Sequence, residues 1–301
     1  MFNPKVSILI PVYNGSDFLS FAIDSALDQS YKNIEIIVIN DGSNDSGLTE
    51  KIALSYGNKI KYLAKPNGGV ASALNLGIKV SRGEYISWLS HDDLYLKNKI
   101  KWQVKALGHS NNIIIYGDYS IFYDKSSLEV INVKLKKTSN FRYFLTSEST
   151  LHGCTLLIPK KAFVDCGFFN KHLITTQDYE MWFRLSKKYT FIHIPKILVK
   201  ARQHQNQGSK KMQQIANKEC DALFFQCIEK MTKPEIILGG NNSLSYGYSK
   251  LAFNMAMRGF KKSFHLAYSL AIKNFYREPF FYLLKSCLCL IISKLIIFFK
   301  Y

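Results

Sequence analysis

The first third of the chain alternates strand-length, largely apolar runs with segments of helical periodicity. Such runs stand at Val6–Pro11, Ile34–Ile39 and Glu84–Leu89, and a helix-patterned segment, Asp17–Gln29, separates the first two. Uninterrupted apolar runs are typical of strands buried on both faces. This order predicts an α/β fold: a mostly parallel, Rossmann-like twisted sheet with helices on both faces.

Amino-acid composition and net charge limit the classes of binding partner that we expect for this fold. Hydrophobic residues make up 47% of the 301 residues, which is enough for a sizeable core. The formal net charge of +18 favours nucleic acid, anionic lipid or phosphate-bearing substrates. Because the basic residues form no recognisable nucleic-acid module, we expect a phosphate-bearing or membrane-surface partner and no nucleic acid.

The cysteines and the N-terminal segment indicate an intracellular location. Six cysteines are present, and no pair has the spacing of a zinc site or a C-x-x-C redox motif, so we expect reduced thiols. The N-terminal apolar run has no charged region before it, contains Pro11 and ends in a turn. It therefore predicts a first strand and not a signal peptide, which places the protein in the cytoplasm.

Polar clusters follow three of the predicted strands: Tyr13-Asn14-Gly15, Asp41-Gly42-Ser43 and Ser90-His91-Asp92-Asp93. Ligands of open parallel sheets bind beyond the carboxyl ends of the strands, so we expect the clusters to share one crevice. Two of the clusters also have a structural interpretation, since Asp-Gly is a common turn and the Asp92-Asp93 pair could cap a helix starting near Leu96.

Adjacent carboxylates at a strand end suit a hard divalent cation, Mg²⁺ or Mn²⁺, which readily bridges diphosphate oxygens. Lys65, Asn67 and the backbone of Gly68 would add positive charge and N–H groups beside the same crevice. A plain strand-to-helix turn is the alternative for this second segment.

Five segments follow one another along the chain: VSILIPVYNG at 6–15, INDGSNDS at 39–46, KPNGGVASALNLGI at 65–78, RGEYISWLSHDD at 82–93 and TQDYEMWFRL at 176–185. In order and spacing they resemble the motifs of family 2 glycosyltransferases. The resemblance implies a GT-A fold, a nucleotide-sugar donor (most often a UDP-sugar), a divalent metal and transfer of the sugar with inversion.

The resemblance also implies roles for the donor-side residues. Asp41 would hydrogen-bond the base, and Pro11 and Tyr13 would line the base pocket. Asp92 would stand at the last aspartate of the metal motif, with Asp93 beside it. The first aspartate of that motif is Ser90 here. We therefore expect a reduced metal site that keeps its metal-proximal carboxylate.

Asp178 matches the position of the catalytic base in this family. An inverting transferase needs a carboxylate that takes the proton of the acceptor hydroxyl. The usual acidic neighbour of this base is Gln177 here. The alternative role for Asp178 is the N-cap of a helix at Tyr179–Lys188.

Two histidines are further candidates. Relatives often carry a histidine near the diphosphate after a late strand, and His204 matches it, so we assign it as a third possible metal ligand. A solvated loop histidine is the simpler alternative for His204. The segment His152-Gly153-Cys154 is a candidate for the acceptor side, where Cys154 need not react.

The sequence divides into a predicted GT-A catalytic domain, residues 1–205, and a helical C-terminal region, residues 206–301. On a terminal helix, Lys285, Ser286, Ser293 and Lys300 would fall within one arc of about 100°. This pattern favours a helix lying in a membrane interface, held by basic flanks to anionic lipid. Packing on the catalytic domain or on a second subunit is the alternative.

The favoured hypothesis is an inverting glycosyltransferase that acts on a glycan or a lipid-linked acceptor. Its setting would be cell-surface polysaccharide biosynthesis at the inner face of the cell membrane. A nucleotidyltransferase on a similar sheet is the first alternative, although the Gly-rich basic loop that such enzymes carry after the first strand is absent here. A non-catalytic glycan- or membrane-binding module is the second.

Overall fold

The computed structural model describes residues 2–108, 110, 112–123, 126–135, 138, 140–148, 150–204, 207, 212–275 and 279–300. The strands are β1 (Val6–Val12), β2 (Ile34–Asn40), β3 (Lys61–Ala64), β4 (Tyr85–Trp88), β5 (Leu94–Tyr95), β6 (Ile113–Tyr123), β7 (Ser126–Val133), β8 (Ile158–Pro159) and β9 (Thr190–Gln203).

The helices alternate with the strands in the first half of the chain and follow them in the second. They are α1 (Leu19–Leu27), α2 (Leu48–Ser55), α3 (Gly69–Val80), α4 (Lys99–Leu107), α5 (Phe141–Glu148), α6 (Lys160–Cys166), α7 (Gln177–Leu185), α8 (Gln213–Lys230), α9 (Lys233–Gly239), α10 (Leu244–Arg258), α11 (Lys261–Lys273) and α12 (Phe280–Lys300).

The central sheet has the strand order β3-β2-β1-β4-β8. The first four strands are parallel, and β8 pairs antiparallel with β4. All residues of β1 are buried, because helices cover both faces of this strand and its sequence offers only apolar or small side chains. A Cβ on Gly77 would lie 3.0 Å from the Ile39 side chain and 3.1 Å from that of Leu9, so this glycine lets α3 pack closely on the sheet.

A second sheet has the order β5-β9-β6-β7. Strand β9 runs parallel to β6 and antiparallel to β5. Strand β9 extends as far as Gln203 because its pairing with β6 reaches the Tyr123–Gln203 pair. This extension carries Arg202 alongside the segment between β4 and β5.

The described chain divides into two compact units: Met1–Lys137 with Leu151–Gln207, and Thr138–Thr150 with Gly208–Tyr301. Helix α5 therefore belongs to the second unit, whereas the sequence-based division left its residues with the first. The ion pair between Arg142 Nη1 and Glu235 Oε1, 2.7 Å apart, shows one reason, since it ties α5 to α9.

Helices α10 and α11 form a hairpin, with Gly259 in the left-handed conformation at the turn (φ +79°). Helix α12 packs on α10. Ser286 and Ser293, predicted as part of a polar side of this helix, are fully buried, and the Oγ atoms of Ser286 and Ser245 lie 3.2 Å apart. The serines thus serve packing within the unit and do not face water.

Candidate active site at the strand ends of the first unit

The loops after β1 and β2 are bound to each other. The side-chain amide of Asn14 donates to Asn44 Oδ1 at 2.6 Å, and the backbone N–H of Asn44 donates to Asn14 Oδ1 at 2.8 Å. The backbone N–H of Asn14 also donates to Ser43 Oγ at 2.9 Å. Two of the predicted polar clusters therefore lie together at the carboxyl edge of the sheet.

Asp41 is the centre of a polar cluster in which four of the predicted donor-side residues meet. Its buried carboxylate forms an ion pair with Lys65 Nζ and accepts the backbone N–H of Gly68 at 3.1 Å. The Asn67 side-chain amide donates to the Asp41 carbonyl oxygen at 2.9 Å. The segment after β3 is thus fixed against the end of β2 and is more than a plain turn.

The glycine after Asp41 is required by this close approach. Gly42 has φ +74°, which favours glycine, and a Cβ there would lie 2.5 Å from the backbone nitrogen of Asn67. Any larger residue would separate Asp41 from Asn67 and Gly68.

Pro11 is the last residue but one of β1, and Tyr13 is the first residue after that strand. Pro11 is buried within the strand, opposite Ile39 of β2. Tyr13 follows the strand and is 45% exposed, so its ring is available at the same edge of the sheet as Asp41.

Asp92 faces His204. Oδ2 of Asp92 lies 3.1 Å from Nε2 of His204, and both side chains retain some exposure. The ring of Phe18 packs edge-on against the His204 imidazole, with the ring centroids 4.9 Å apart, and so helps to fix its orientation.

Arg202, for which the sequence predicts no role, links Asp92 and Asp93 to strand β9. Its Nε donates to the Asp92 carbonyl oxygen at 2.9 Å, and its backbone N–H donates to Asp93 Oδ1 at 3.0 Å. Its guanidinium carbon lies 4.4 Å from the ring centroid of Phe18 and 4.6 Å from that of Phe122. The spacing Arg202-x-His204 across the end of β9 could have indicated that the two side chains lie on the same side.

Asp93 points away from Asp92 and into the protein. Its Oδ2 lies 3.4 Å from Cys154 Sγ and 3.5 Å from His152 Nε2. Burial, with a contribution from Asp92, raises the pKa of this carboxyl. Burial also raises the pKa of the Cys154 thiol, so the thiol keeps its proton and donates it to Asp93. The two aspartates therefore have different surroundings.

Among the described residues, two groups of side chains could hold a metal ion. A cation bound about 2.1 Å from each of two ligand atoms places those atoms about 3 Å apart, which fits the separation in the Asp92–His204 pair. The ligand atoms of Asp93, His152 and Cys154 also lie within 4.8 Å of one another, but they are largely buried and include a thiol, which suits softer metals. The Asp92–His204 pair fits Mn²⁺ or Mg²⁺ better.

A fully buried lysine lies beneath the metal motif. Lys99 Nζ donates to Ser87 Oγ at 2.7 Å and to Gln103 Oε1 at 2.8 Å, and it stands 4.2 Å from the ring centroid of Tyr95. Burial lowers the pKa of this amine well below its usual range. Helical periodicity places position 99 on the buried face of α4, but it does not reveal the polar partners.

The two other residues of the Ser90–Asp93 segment are used in packing. A Cβ on Gly15 would lie 2.4 Å from Cδ2 of His91, so the imidazole fills the space beside the end of β1. Ser90 Oγ lies 3.4 Å from Cys154 Sγ. Helix α4 begins at Lys99, after Asn98, so the alternative that the aspartates cap the next helix is wrong.

Asp178 is the second residue of α7, whose N-cap is Thr176, so the N-cap alternative is wrong for this residue as well. Its Oδ1 accepts the backbone N–H of Tyr179 at 2.8 Å. Burial raises the pKa of Asp178 to about 6, although backbone hydrogen bonds act in the opposite direction. A carboxylate with a pKa near neutrality suits proton abstraction.

Solved structures with this fold bind nucleotide sugars. Superposition on Staphylococcus aureus TarS 1–349 in complex with UDP-GlcNAc gives a TM-score of 0.61 at 17% identity over 88% of this chain and 75% of that one. The mannosyltransferase PcManGT of Pyrobaculum calidifontis, in complex with GDP-Man and Mn²⁺, gives 0.57 at 16% identity over 100% and 88%. These likenesses show the fold, and the predicted GT-A architecture with a C-terminal helical region is confirmed.

The sequence profile of glycosyl transferase family 2 matches residues 7–167. An uncharacterized glycosyltransferase of Rickettsia typhi is 42% identical over 280 residues, which is 90% of this chain and 86% of that protein. The chain therefore belongs to glycosyl transferase family 2, as predicted, and the prediction of a transferase enzyme is confirmed at the level of the family. This chain spans only 35–40% of the length of three other Rickettsia relatives.

Proposed function

We propose that the chain transfers a sugar from a nucleotide diphosphate to a hydroxyl of a glycan or lipid-linked acceptor, with inversion, in cell-surface polysaccharide biosynthesis. The observation that carries the proposal is the arrangement of the strand ends. The Asp41 cluster follows β2, the Asp92–His204 pair lies beyond β4, and both strands are hydrogen-bonded to β1 between them. Sugar nucleotides need base recognition and diphosphate neutralisation at one such edge.

A UDP-sugar is the favoured donor. Asp41 offers a carboxylate for an N–H of the base, once Lys65 turns from that carboxylate toward the diphosphate. The exposed ring of Tyr13 would supply a stacking surface for the base, and Pro11, two residues earlier at the end of β1, would line the base pocket. The UDP-GlcNAc complex of TarS, on the same fold, supports this choice.

Asp92 and His204 would hold the divalent cation. A bound Mn²⁺ or Mg²⁺ neutralises negative charge that develops on a departing diphosphate. Asp92 brings negative charge to the crevice, and the phenyl ring of Phe18 orients the imidazole of His204 toward it. Asp93, by contrast, fixes the backbone of Arg202 and stays inside the fold. Its role in metal binding would be indirect.

Asp178 would act as the base. The acceptor oxygen forms a bond to the anomeric carbon as the bond from that carbon to the diphosphate breaks, and the hydroxyl proton passes to the Asp178 carboxylate. A pKa of about 6 leaves this carboxylate ionised at neutral pH, yet basic enough to accept the proton. Attack from the face opposite the diphosphate gives inversion.

The acceptor and the location rest on more general arguments. The second unit carries a long apolar helix with basic neighbours, which supports an acceptor on or near a lipid surface. Free thiols throughout the described residues agree with a cytoplasmic location. We therefore place the reaction on the cytoplasmic side of the membrane.

The test is a donor screen with the full chain and Mn²⁺, following release of nucleotide diphosphate from UDP-, GDP- and dTDP-sugars. We expect release from one donor class, loss of release with EDTA, and donor binding without turnover in Asp178→Asn. Asp28→Asn, an exposed aspartate on the same unit, is the matched control and should keep activity.

The screen also separates the alternatives. Release of pyrophosphate in place of nucleotide diphosphate would identify a nucleotidyltransferase. Donor binding without turnover by the unaltered chain, with every acceptor tried, would identify a binding module. Full turnover in Asp178→Asn would remove this residue from the mechanism.

A further inference from the structure

Helix α12 presents a continuous apolar surface that the described residues of its unit leave uncovered. We call this surface the apolar face. Its six residues are each more than half exposed: Phe281, Leu284, Leu288, Ile291, Leu295 and Phe298. Their spacing of three or four residues places all six within an arc of about 100° on the helix. Such a long apolar stripe is unusual on a water-facing helix.

The opposite side of α12 is already occupied. Ser286, Leu290 and Ser293 are buried, and Ser286 meets Ser245 of α10. The hydroxyl of Tyr282 donates to the Asn241 carbonyl oxygen at 2.6 Å, which anchors the start of the helix. Packing therefore fixes which side of α12 is exposed, so the orientation of the apolar face belongs to the folded unit.

Lysines border the apolar face on both sides. Lys285 and Lys294 lie roughly a quarter turn from its centre, in opposite directions. The Nζ atom of Lys285 is 3.9 Å from the ring centroid of Phe281, so its stem lies along the apolar surface while its charge stays at the edge. From Leu244 to the C-terminus the sequence has nine basic residues and one acidic residue, Glu278. The surroundings of the apolar face are thus strongly positive.

We propose that the apolar face lies in the interfacial layer of an anionic phospholipid bilayer, with Lys285 and Lys294 at the level of the headgroups. Apolar side chains flanked by lysines match the acyl boundary and the anionic headgroups of such a surface. The proposal names a partner of the second unit. It relies on the proposed function for its biological setting alone.

The same helix is long and apolar enough to cross a membrane by length and composition, since Phe281–Phe298 has a mean hydropathy of 2.0. A crossing would move Lys285 and Lys294 into the hydrocarbon and detach the buried serines from α10. A helix lying at the membrane surface needs neither change. The packing of α12 on α10 therefore favours a helix axis parallel to the membrane plane.

Vesicle flotation of the full chain tests the proposal, using phosphatidylcholine vesicles with and without an equal share of phosphatidylglycerol. We expect binding to the anionic vesicles that falls about tenfold in Leu284→Glu/Leu288→Glu. The matched control is Leu48→Glu/Leu54→Glu on α2, whose leucines are 53% and 55% exposed, and it should bind as the unaltered chain does. Lys285→Gln/Lys294→Gln should lose the preference for anionic vesicles while keeping its fold.

Equal binding by the α12 variant and the unaltered chain would overturn the proposal, as would failure of the unaltered chain to bind anionic vesicles. A lipid-free dimer by light scattering that Leu284→Glu/Leu288→Glu converts to a monomer would assign the apolar face to a second copy instead. Donor turnover measured without vesicles should be unchanged in every variant. Absent turnover with intact vesicle binding would count against the proposed function alone.

Discussion

The carboxylate Oδ2 of Asp92 and the imidazole Nε2 of His204 lie 3.1 Å apart, although 112 positions separate the two residues in the chain. Asp92 stands in the loop between β4 and β5, and His204 follows β9, the neighbour of β5 in the second sheet. The pair therefore joins the two sheets of the first unit at one point.

Removing the imidazole should weaken cation binding. We expect His204→Ala to raise the Kd for Mn²⁺ by at least about tenfold, because only the Asp92 carboxylate of the pair would remain. Isothermal titration of the purified chain measures the change. His172→Ala, at an exposed histidine of the same unit, should leave the Kd unchanged. Equal affinities in the two variants would show that the cation binds elsewhere.

Arg202 should affect cation binding indirectly, by holding Asp92 in position. A lysine at this site keeps a positive charge between Phe18 and Phe122 but loses the Nε–H that donates to the Asp92 carbonyl oxygen. We expect Arg202→Lys to cost about 1–3 kcal/mol of unfolding free energy and to weaken Mn²⁺ binding together with it. Urea unfolding and titration would report the two effects. The exposed Arg82→Lys should change neither, and destabilisation at unaltered Mn²⁺ affinity would limit Arg202 to a structural role.

The ionised Asp178 carboxylate should lower the stability of the fold. Its folded pKa of about 6 lies above the ordinary aspartate value of 3.8, so the folded state holds a proton that the unfolded chain has released between these pH values. Stability contributed by the protonated carboxyl is therefore lost as the pH rises from about 4 to 6. We expect Asp178→Asn to unfold with a free energy about 1–3 kcal/mol higher at pH 8, and calorimetry would measure it. A less stable variant at pH 8 would contradict this.

The same group predicts the pH dependence of the reaction. The base acts in its ionised form, so the transfer rate should rise about tenfold per pH unit below pH 6 and level off above it. A pH–rate profile at saturating donor measures this. A profile flat from pH 4 to 8 would be incompatible with Asp178 as the base.

Lys99 should affect the pH dependence of stability in the direction opposite to Asp178. Its folded pKa lies below that of an exposed lysine, so the unfolded chain binds a proton that the folded chain does not over the interval between the two values. The stability of the unaltered chain should therefore gain on that of Lys99→Met as the pH rises from 7 toward 10. Urea unfolding of both chains at each pH gives the difference. A constant difference would mean that Lys99 is charged in the fold.

Local patterns predicted the central parallel sheet and the shared edge at which Asp41, Lys65 and Gly68 lie. Strands β1 and β2 are largely apolar runs, and Asp41 meets Lys65 and Gly68 from 24 and 27 positions away. Each of these residues sits at the end of a strand or the start of a helix, where spacing along the chain already places it at the sheet edge.

The second half of the site depends on contacts that periodicity does not encode. Asp92 and Asp93 are adjacent in sequence, yet Asp92 faces His204 and Asp93 faces Cys154. Both residues lie in a loop, where side-chain directions depend on the local backbone conformation and follow no regular period. The burial of Ser286 on α12 has a similar cause. Hydropathy alone assigns a serine to the water side, whereas α10 accepts it for its small size.

The 112-residue separation of Asp92 and His204 also bears on how the protein matures. Contacts between distant segments are late and slow to form in folding. A chain in which β9 has not yet docked on β5 and β6 could possess the Asp41 cluster but would lack the Asp92–His204 pair. Mn²⁺ binding at the proposed site would therefore require β9 to be docked, and mass action of the cation would favour the finished state over any intermediate that precedes it.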